Sequence, residues 1–397
     1  MSKRKERIRI GQGPRIYRKA SAEQPEKLPG LYLHIPFCRR KCDYCDFYSV
    51  AATDDKARQY TQALIAHLEE AAGIVHSQIE TVYIGGGTPA MLGIKNLSLL
   101  LGTVRKLFKL AANPEITVEL NPESTDKALL KSLKKAGCNR ISIGIQSAVD
   151  DELKRLGRLH SFEDAKKAFK IAREVGFKNI SVDLMYGIEG QTADSLAYSL
   201  SEILSLDPEH ISCYGLKVEE NTPLWRRREK AELPDDDAQA VFYETVCETL
   251  GRAGYTHYEI SNFAKPGYAS RHNLKYWRLE PYLGFGPGAH SDFGGRRFSY
   301  VRSVDAYIEG IKNGGEIIDY LEDVPQKERA AEYLMLRLRL SEGFAPSEYM
   351  RLFSKNFEPI EAKLREYEEQ GLARYDGRWA LTTKGFLLSN SIISSLI

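Results

Sequence analysis

The sequence predicts an α/β fold built on a parallel sheet. Short apolar runs rich in β-branched residues, bounded by Gly, Pro or Asn, recur through the first half of the chain, and longer stretches with helical spacing separate them. Such alternation is typical of a parallel sheet covered by helices. Periodicity does not distinguish an open sheet from a barrel, but in either layout the functional loops follow the carboxyl ends of the strands.

Six strands are predicted in the first half of the chain. They lie at residues 31–36, 81–84, 116–120, 140–145, 180–185 and 210–216. Helical spacing between them is clear at Leu129, Leu130 and Leu133, and Gly137 is the predicted end of that helix. We therefore expect a helix to cross over between each strand and the next.

Composition divides the chain into four parts. Residues 1–30 are basic and poor in large apolar side chains, which predicts a flexible extension able to contact an anionic lipid surface or an acidic partner. Residues 31–235 hold the strand and helix repeats, and residues 236–324 are predicted to be a connecting region. Residues 325–397 contain two helical patterns and then a hairpin with Asp376 and Gly377 at its turn, which predicts an α+β winged-helix-like domain.

Charge and cysteine content restrict the class of protein. The net charge of +2 over 397 residues gives no electrostatic case for a nucleic acid partner. No apolar stretch is long enough to span a bilayer, and no apolar region follows the basic start as in a secretory signal. Six cysteines in such a chain indicate a reducing compartment, and we expect a cytoplasmic protein.

Three cysteines crowd into one short stretch. Cys38, Cys42 and Cys45 have the spacing C-x3-C-x2-C, which suits a soft metal or an iron-sulfur cluster. Position 47, where a fourth cysteine could follow, is Phe47, so one iron would keep an open coordination position. A structural zinc site with His34 as the fourth ligand is the alternative. The other three thiols, at positions 138, 213 and 247, lie singly in apolar stretches and are interpreted as inert.

Polar residues follow successive strands at the predicted functional edge. Glu119, Gln146 and Asp183 stand in or directly after apolar runs, where a polar group costs free energy unless it has a partner. Arg158 follows in a nearby loop, and the glycine-rich turn 85–89 allows close approach of the backbone to a ligand. A cleft lined by these groups is one interpretation, and a hydrogen-bonded network within the core is the other.

The stretch YLHIPFCRRKCDYCDF, followed by GGGTP, resembles the radical S-adenosylmethionine (SAM) superfamily, in the branch of oxygen-independent coproporphyrinogen III oxidases and HemW haem chaperones. The resemblance implies a six-stranded partial (β/α)6 barrel. It also implies a [4Fe-4S] cluster on Cys38, Cys42 and Cys45, with SAM chelating the open iron. The residues implied to bind SAM are Tyr32, Tyr44, Gly86, Gly87, Thr88, Glu119, Gln146, Arg158 and Asp183.

A second stretch separates the two members of that branch. The run RHNLKYW resembles the HNxxYW element of HemW, which makes His272, Asn273, Tyr276 and Trp277 the candidates for binding haem. From the residues alone, an aromatic-rich core around a hydrogen-bonded histidine explains the run equally well. Phe47 stands where the oxidases carry an additional cysteine, and this departure favours the chaperone.

The predicted function is therefore that of a HemW-type haem chaperone, which binds haem and delivers it to acceptor haemoproteins. The alternative is radical oxidative decarboxylation of porphyrinogen propionates, the reaction of the oxidases. In either case the resemblance implies that a small electron-donor protein reduces the cluster. The reduced cluster would then break the carbon-sulfur bond of SAM to give methionine and a 5'-deoxyadenosyl radical.

Overall fold

The computed structural model describes residues 27–51 and 53–397. Most of the predicted basic extension, and with it the proposed lipid contact, lies outside the described residues. Twelve strands form one mixed sheet in the order β12-β11-β10-β9-β1-β2-β3-β4-β5-β6-β8-β7. Among residues 27–51 and 53–397, no helix combines the length and apolar character needed to cross a bilayer.

The centre of the sheet consists of the six predicted parallel strands, and they lie side by side in sequence order. These strands are β1 (Gly30–Ile35), β2 (Ile79–Gly86), β3 (Leu110–Leu120), β4 (Arg140–Gln146), β5 (Ile180–Tyr186) and β6 (His210–Gly215). Each observed strand contains most of its predicted range. The residues of β4 are buried along its whole length, which is typical of parallel strands covered on both faces.

Helices connect the parallel strands. They are α1 (Asp54–Ala72), α2 (Gly93–Leu107), α3 (Lys127–Lys135), α4 (Asp150–Arg155), α5 (Phe162–Val175) and α6 (Ala193–Ser205). Side chains fix several of the starting points: Thr53 accepts a hydrogen bond from the third residue of α1, and Ser161 forms a capping box at α5. Short 3-10 helices at Pro89–Leu92 and Pro122–Ser124 follow β2 and β3.

The predicted connecting region is an integral part of the sheet. A short helix, α7 (Pro223–Arg227), precedes this region. The elements of the region itself are α8 (Asp236–Arg252), β7 (Thr256–Glu259), β8 (Asn262–Ala264), α9 (Arg271–Trp277), β9 (Tyr282–Phe285), β10 (His290–Phe293), β11 (Arg296–Tyr300), α10 (Val304–Asn313) and β12 (Ile318–Asp323). β8 pairs with β6, and β9 pairs with β1. The sheet therefore does not close through contact between β1 and β6. These strands have three to six residues, too short to show a periodic pattern in the sequence.

One apolar core runs through the sheet and its helices, and a second belongs to the C-terminal part. The first contains side chains from Leu31 to Ile317, so it includes the predicted connecting region. The second is built mainly from residues after Ala330, with Tyr243 of α8 contributing from outside. This packing joins residues 31–317 into one unit and leaves the C-terminal part with a core of its own.

The C-terminal part has the helices and the hairpin that the sequence predicted. It contains α11 (Gln326–Arg337), α12 (Pro346–Phe353), α13 (Glu358–Glu369), β13 (Ala373–Tyr375), β14 (Trp379–Leu381), α14 (Thr383–Leu387) and α15 (Ser389–Leu396). β13 and β14 form a two-stranded antiparallel sheet, and Gly377 at the turn has φ +87°. The sequence did not predict α12, α14 or α15. The first of these is an eight-residue helix with one buried side chain, Tyr349.

Candidate functional site

A cavity of about 530 Å³ opens at the carboxyl ends of the parallel strands. This is the edge at which parallel sheets place their functional loops. The volume lies within the range of roughly 300–1,000 Å³ that is usual for small-molecule sites. Twelve of the predicted site residues line it: Cys38, Cys42, Tyr44, Cys45, Gly86, Gly87, Thr88, Glu119, Gln146, Arg158, Asp183 and Asn273.

The three cysteines lie in the loop between β1 and α1, on one wall of the cavity. All three are unpaired thiols. The loop is held in place by its backbone, because Cys38 donates to Val50 (N···O 3.1 Å) and Asp43 donates to Leu156 (3.0 Å). The loop therefore presents its sulfurs to the cavity without a bridge between any two of them.

The chemistry of this thiol set fits an iron-sulfur cluster. Burial raises the pKa of the Cys45 thiol to about 11, and the neighbouring thiols add to the effect. Three thiolates so close together therefore need cations to neutralise them, as cluster irons would. In the part of the chain that the structure describes, no three His, Cys, Asp or Glu side chains converge on a single metal ion. A [4Fe-4S] cluster does not require three side chains to converge on one metal ion, because each cysteine binds a different iron.

Two side chains contact the cluster thiols from the opposite walls. The Thr88 hydroxyl lies 3.7 Å from Cys38 Sγ, and Arg158 Nη1 lies 3.5 Å from Cys42 Sγ. A thiolate at either position would accept a hydrogen bond, one of them from a cation. The same residues face the remaining cavity, so they can contact a cluster and a second ligand at the same time.

The glycine-rich turn after β2 packs directly against the cysteine loop. Gly87 N–H donates to Ile35 (2.8 Å) and Thr88 N–H donates to Phe37 (2.7 Å). A Cβ at Gly87 would lie 2.6 Å from the Phe37 carbonyl oxygen, and Gly86 has φ +107°. Both positions therefore require glycine, and the backbone of the turn can approach a ligand without obstruction from a side chain.

The two predicted carboxylates share one face of the sheet. Glu119 accepts hydrogen bonds from the Tyr83 hydroxyl (2.8 Å) and from Gly86 N–H (2.9 Å). Burial nevertheless raises its pKa to about 7, with a further contribution from Asp183. Burial also raises the pKa of Asp183, to which the Ser142 hydroxyl donates at 3.2 Å. Burial thus raises the pKa of both carboxyls although each already accepts a hydrogen bond, so a further donor on a ligand would favour their ionised forms.

Two buried arginines supply hydrogen-bond donors that the protein leaves unused. Arg158 donates from Nη2 to Asn121 (3.0 Å) and to Gly144 (2.8 Å), but its Nε has no partner in the described structure. Arg140 is only 2% exposed, lines the cavity, and also has an unpartnered Nε. A buried donor without an acceptor is costly, so both side chains fit a cavity that receives a polar ligand such as SAM.

Sequence reasoning missed some of the cavity wall. Arg140, Ser142 and Ser212 line the cavity but were assigned no role. The signal was available for Arg140, a charged residue that begins a predicted strand without any other charged side chain. For the serines no signal existed, because their exposure to the cavity depends on register: Ser142 pairs with Glu119, and Ser212 pairs with Asp183.

The two predicted tyrosines differ in position, and the backbone of Gln146 is strained. Tyr44 lines the cavity, whereas Tyr32 does not; its hydroxyl is hydrogen bonded to His34 Nδ1 at 2.9 Å. The structure therefore gives no support to Tyr32 as part of the pocket wall. Gln146 has φ +74°, a left-handed conformation that is costly for a residue with a side chain. Such strain is typical of functional positions.

The structure separates the haem candidates from the cavity, with the exception of Asn273. His272 is 1% exposed, its Nδ1 lies 2.7 Å from the Thr81 hydroxyl, and its Nε2 lies 2.8 Å from the Tyr276 hydroxyl. Its ring stacks on Tyr83 at 5.1 Å, and burial lowers its pKa to about 3. Neither ring nitrogen is free to bind iron here. Trp277 likewise lies outside the cavity, and the assignment of this segment to haem stays a prediction.

Comparison with known proteins agrees with this geometry. The profile of the Radical SAM superfamily matches residues 32–203, and that of the HemN C-terminal domain matches residues 324–388. The heme chaperone HemW of Bacillus subtilis is 37% identical over 376 residues, covering 93% of this chain and 99% of that protein. HemW of Escherichia coli is 37% identical over 377 residues, covering 92% and 98%.

A solved structure shares the fold. Coproporphyrinogen III oxidase (HemN) from Escherichia coli, a radical SAM enzyme, superposes with a TM-score of 0.84 at 23% identity, covering 97% of this chain and 93% of that one. The predicted α/β fold of radical SAM type is thereby confirmed. A [4Fe-4S] cluster and SAM are the cofactors of this superfamily, and the residues around the cavity fit both. The chain belongs to the HemW family of radical SAM proteins.

Proposed function

We propose that this protein is a haem chaperone that binds haem, a [4Fe-4S] cluster and SAM and delivers haem to acceptor haemoproteins. The observation that carries this proposal is the similarity, along nearly the whole chain, to relatives named heme chaperones. The cysteine loop supports it, because Phe47 takes the place of a possible fourth thiol and lies at the rim of the cavity. The fold shared with HemN does not separate a chaperone from an oxidase, since both use the same barrel.

In this proposal Cys38, Cys42 and Cys45 hold the cluster and leave one iron for SAM. Gly86, Gly87 and Thr88 face the ligand through their backbone. Bound together, the two cofactors supply reductive cleavage of the carbon-sulfur bond of SAM. The cysteine loop and the strand ends that line the cavity would limit the access of water and oxygen to that bond.

In this proposal each charged residue of the cavity binds a different part of SAM. Arg158, with an unused Nε, is the donor for the carboxylate of the ligand. Glu119 and Asp183 are acceptors for its ribose hydroxyls and amino group. Gln146 and Tyr44 complete the wall. Arg140, which interacts electrostatically with both carboxylates, offers a further donor to the ligand or to ordered water.

An anaerobic incubation distinguishes this function from that of the oxidases. Cluster-bearing protein is mixed with coproporphyrinogen III, SAM and a reductant, and in parallel with haem and an apo-haemoprotein. We expect haem to appear in the acceptor and no protoporphyrinogen to form. Protoporphyrinogen formation at a catalytic rate, without haem transfer, would replace the chaperone by the oxidase.

The partners and the compartment follow from the same proposal. A small one-electron donor protein would reduce the cluster, and the exposed basic residues Arg39, Arg40 and Lys41 beside the thiols suit an acidic one. Six unpaired cysteines suit a reducing compartment such as the cytoplasm. The basic extension could add weak attraction to an anionic membrane surface, which removal of residues 1–26 would test in a vesicle-binding assay.

A further inference from the structure

The cavity reaches from the cysteine loop to the opposite end of the parallel strands. Every second residue of β4 lines it: Arg140, Ser142, Gly144 and Gln146. Six residue steps along an extended strand give this wall a length of about 20 Å. On β3 the deepest residue assigned to SAM is Glu119, which pairs with Ser142 and therefore lies above Arg140. The part of the cavity around Arg140, which we call the floor, has no assigned ligand.

The charge of Arg140 is unpaired at the floor. Its side chain is 2% exposed, and within residues 27–51 and 53–397 its guanidinium forms no hydrogen bond and no ion pair. Glu119 and Asp183 interact with it electrostatically but do not reach ion-pair distance. They accept hydrogen bonds instead from Tyr83 and Ser142. A buried charge without a counter-ion is costly, so we expect a ligand to complete it.

Two further polar groups lack partners beside Arg140. Thr117 pairs with Arg140 in the register of β3 and β4, and its Oγ1 is buried without a hydrogen bond in the described structure. Asn273 lines the cavity from α9, and in the same part of the chain its side-chain amide has no hydrogen bond. His272, the residue before it, interacts electrostatically with Arg140, so α9 reaches the floor. Polar groups without partners are rare in protein interiors, and three of them together indicate a bound ligand.

The donors at the floor match a carboxylate. The planar guanidinium of Arg140 presents paired N–H groups with the spacing of the two carboxylate oxygens. The amide of Asn273 adds another N–H donor. An anion also balances the charge of Arg140, which water or a neutral ligand leaves uncompensated. A dianion such as phosphate fits less well, because Glu119 and Asp183 lie within electrostatic reach of the floor.

We infer that the floor of the cavity is a second binding site, which takes a small monocarboxylate on Arg140 and Asn273. The ligand must be small because α9 closes the floor, with His272 hydrogen bonded at both ring nitrogens and Lys275 held in a buried ion pair. SAM, with its carboxylate on Arg158, would lie above this ligand. The site goes beyond the proposed function, since neither haem nor its acceptor takes part.

Acetate titration of full-length, cluster-bearing protein under anaerobic conditions tests the site. SAM is present at saturation, so that acetate does not take the place of the SAM carboxylate on Arg158, and sodium chloride holds the ionic strength constant. Line broadening of carbon-13-labelled acetate in NMR spectra measures binding. We expect a dissociation constant on the order of 1 mM, as suits a ligand with so few atoms. Arg140→Gln should weaken binding about tenfold and Asn273→Ala two- to threefold, and acetamide, the neutral isostere, should not bind.

Thermal unfolding gives a second measurement on the same protein. Arg140→Met removes the unpaired charge, so without acetate the variant should melt at the temperature of the wild type or higher. Acetate should raise the melting temperature of the wild type but not that of the variant, because only the wild type binds it. A variant that melts lower without acetate would show that the charge of Arg140 is already compensated, and would overturn the inference.

The matched control is the exposed Arg226, which is not among the residues that line the cavity. Arg226→Gln removes the same charge and should keep acetate affinity within twofold of wild type. Absence of acetate binding by the wild-type protein, or equal binding by Arg140→Gln, would overturn the inference and leave the floor to ordered water. The chaperone function is tested separately by haem transfer, so either proposal can fail without the other.

Discussion

The cysteine loop and the HNxxYW segment both suggest a ligand site in the sequence, but the structure gives them opposite characters. Around the cysteine loop the protein leaves polar groups unused, among them Nε of Arg158 and Nε of Arg140. In α9 the two buried polar side chains are satisfied: both nitrogens of His272 have partners, and Lys275 contacts Glu80 and Glu280.

This difference shows that residue type is a weaker indicator of a site than hydrogen-bond satisfaction. A histidine among aromatic residues suits a metal ligand, but it suits a packed core equally well. A buried donor without an acceptor is costly, and proteins retain it mainly where a ligand or water completes it.

Replacing Cys38, Cys42 and Cys45 together by serine should abolish cluster binding. Serine hydroxyls do not replace thiolates as iron ligands, so iron content and the broad brown absorbance of anaerobically purified protein should fall to background. Circular dichroism should stay native, because these thiols contribute little to either apolar core. Cys247→Ala is the control, and it should retain a full complement of iron. Retention of iron by the triple variant would remove the cluster assignment.

Replacing His272 by alanine should lower the free energy of unfolding by about 3 kcal/mol. The change opens a cavity in a packed region and leaves buried partners of both ring nitrogens unsatisfied. Urea unfolding of the cluster-free protein measures the effect. The exposed His76 is the matched position, where alanine should change stability by less than about 0.5 kcal/mol. Equal stability of the two variants would contradict a structural role for His272.

SAM affinity should rise about tenfold between pH 6 and pH 8. Because the pKa of Glu119 is raised to about 7, its carboxyl is mostly protonated at pH 6 and mostly ionised at pH 8. The ionised form accepts hydrogen bonds from SAM more strongly. Equilibrium binding of SAM to the cluster-bearing protein measures this dependence. Glu119→Gln should bind SAM weakly and with little change over the same pH range, and an unchanged slope would assign the titration to another group.

The smallest expected effect belongs to Asn273→Ala. Asn273 is the α9 residue that lines the cavity, while its neighbour His272 points into the core. We expect a two- to threefold loss of SAM affinity, measured by the same binding assay, and a change in stability below about 0.5 kcal/mol. A loss of stability as large as that of His272→Ala would show that α9 acts as one buried unit with no ligand-facing side.

The sequence predicted the site better than it predicted the edges of the fold. Cysteine spacing, a glycine-rich turn and polar residues in apolar runs are local signals, and twelve of the predicted residues line one cavity. The strands β7–β12 gave no such signal, because they are short and pair antiparallel at the two edges of the parallel sheet. They were predicted to be a connecting region and are instead part of the main core.

Local spacing along the chain was enough to predict the six strands of the parallel sheet, the thiols of the cluster loop and the family. Tertiary structure decided which side chains face the cavity, because that depends on strand register and on hydrogen bonds between distant residues. It placed Arg140 in the cavity wall, left Phe47 exposed at the mouth, and buried His272 between Thr81 and Tyr276. Residues that were equally good site candidates in the sequence thus differ in the folded protein, because packing exposes some to the cavity and buries others.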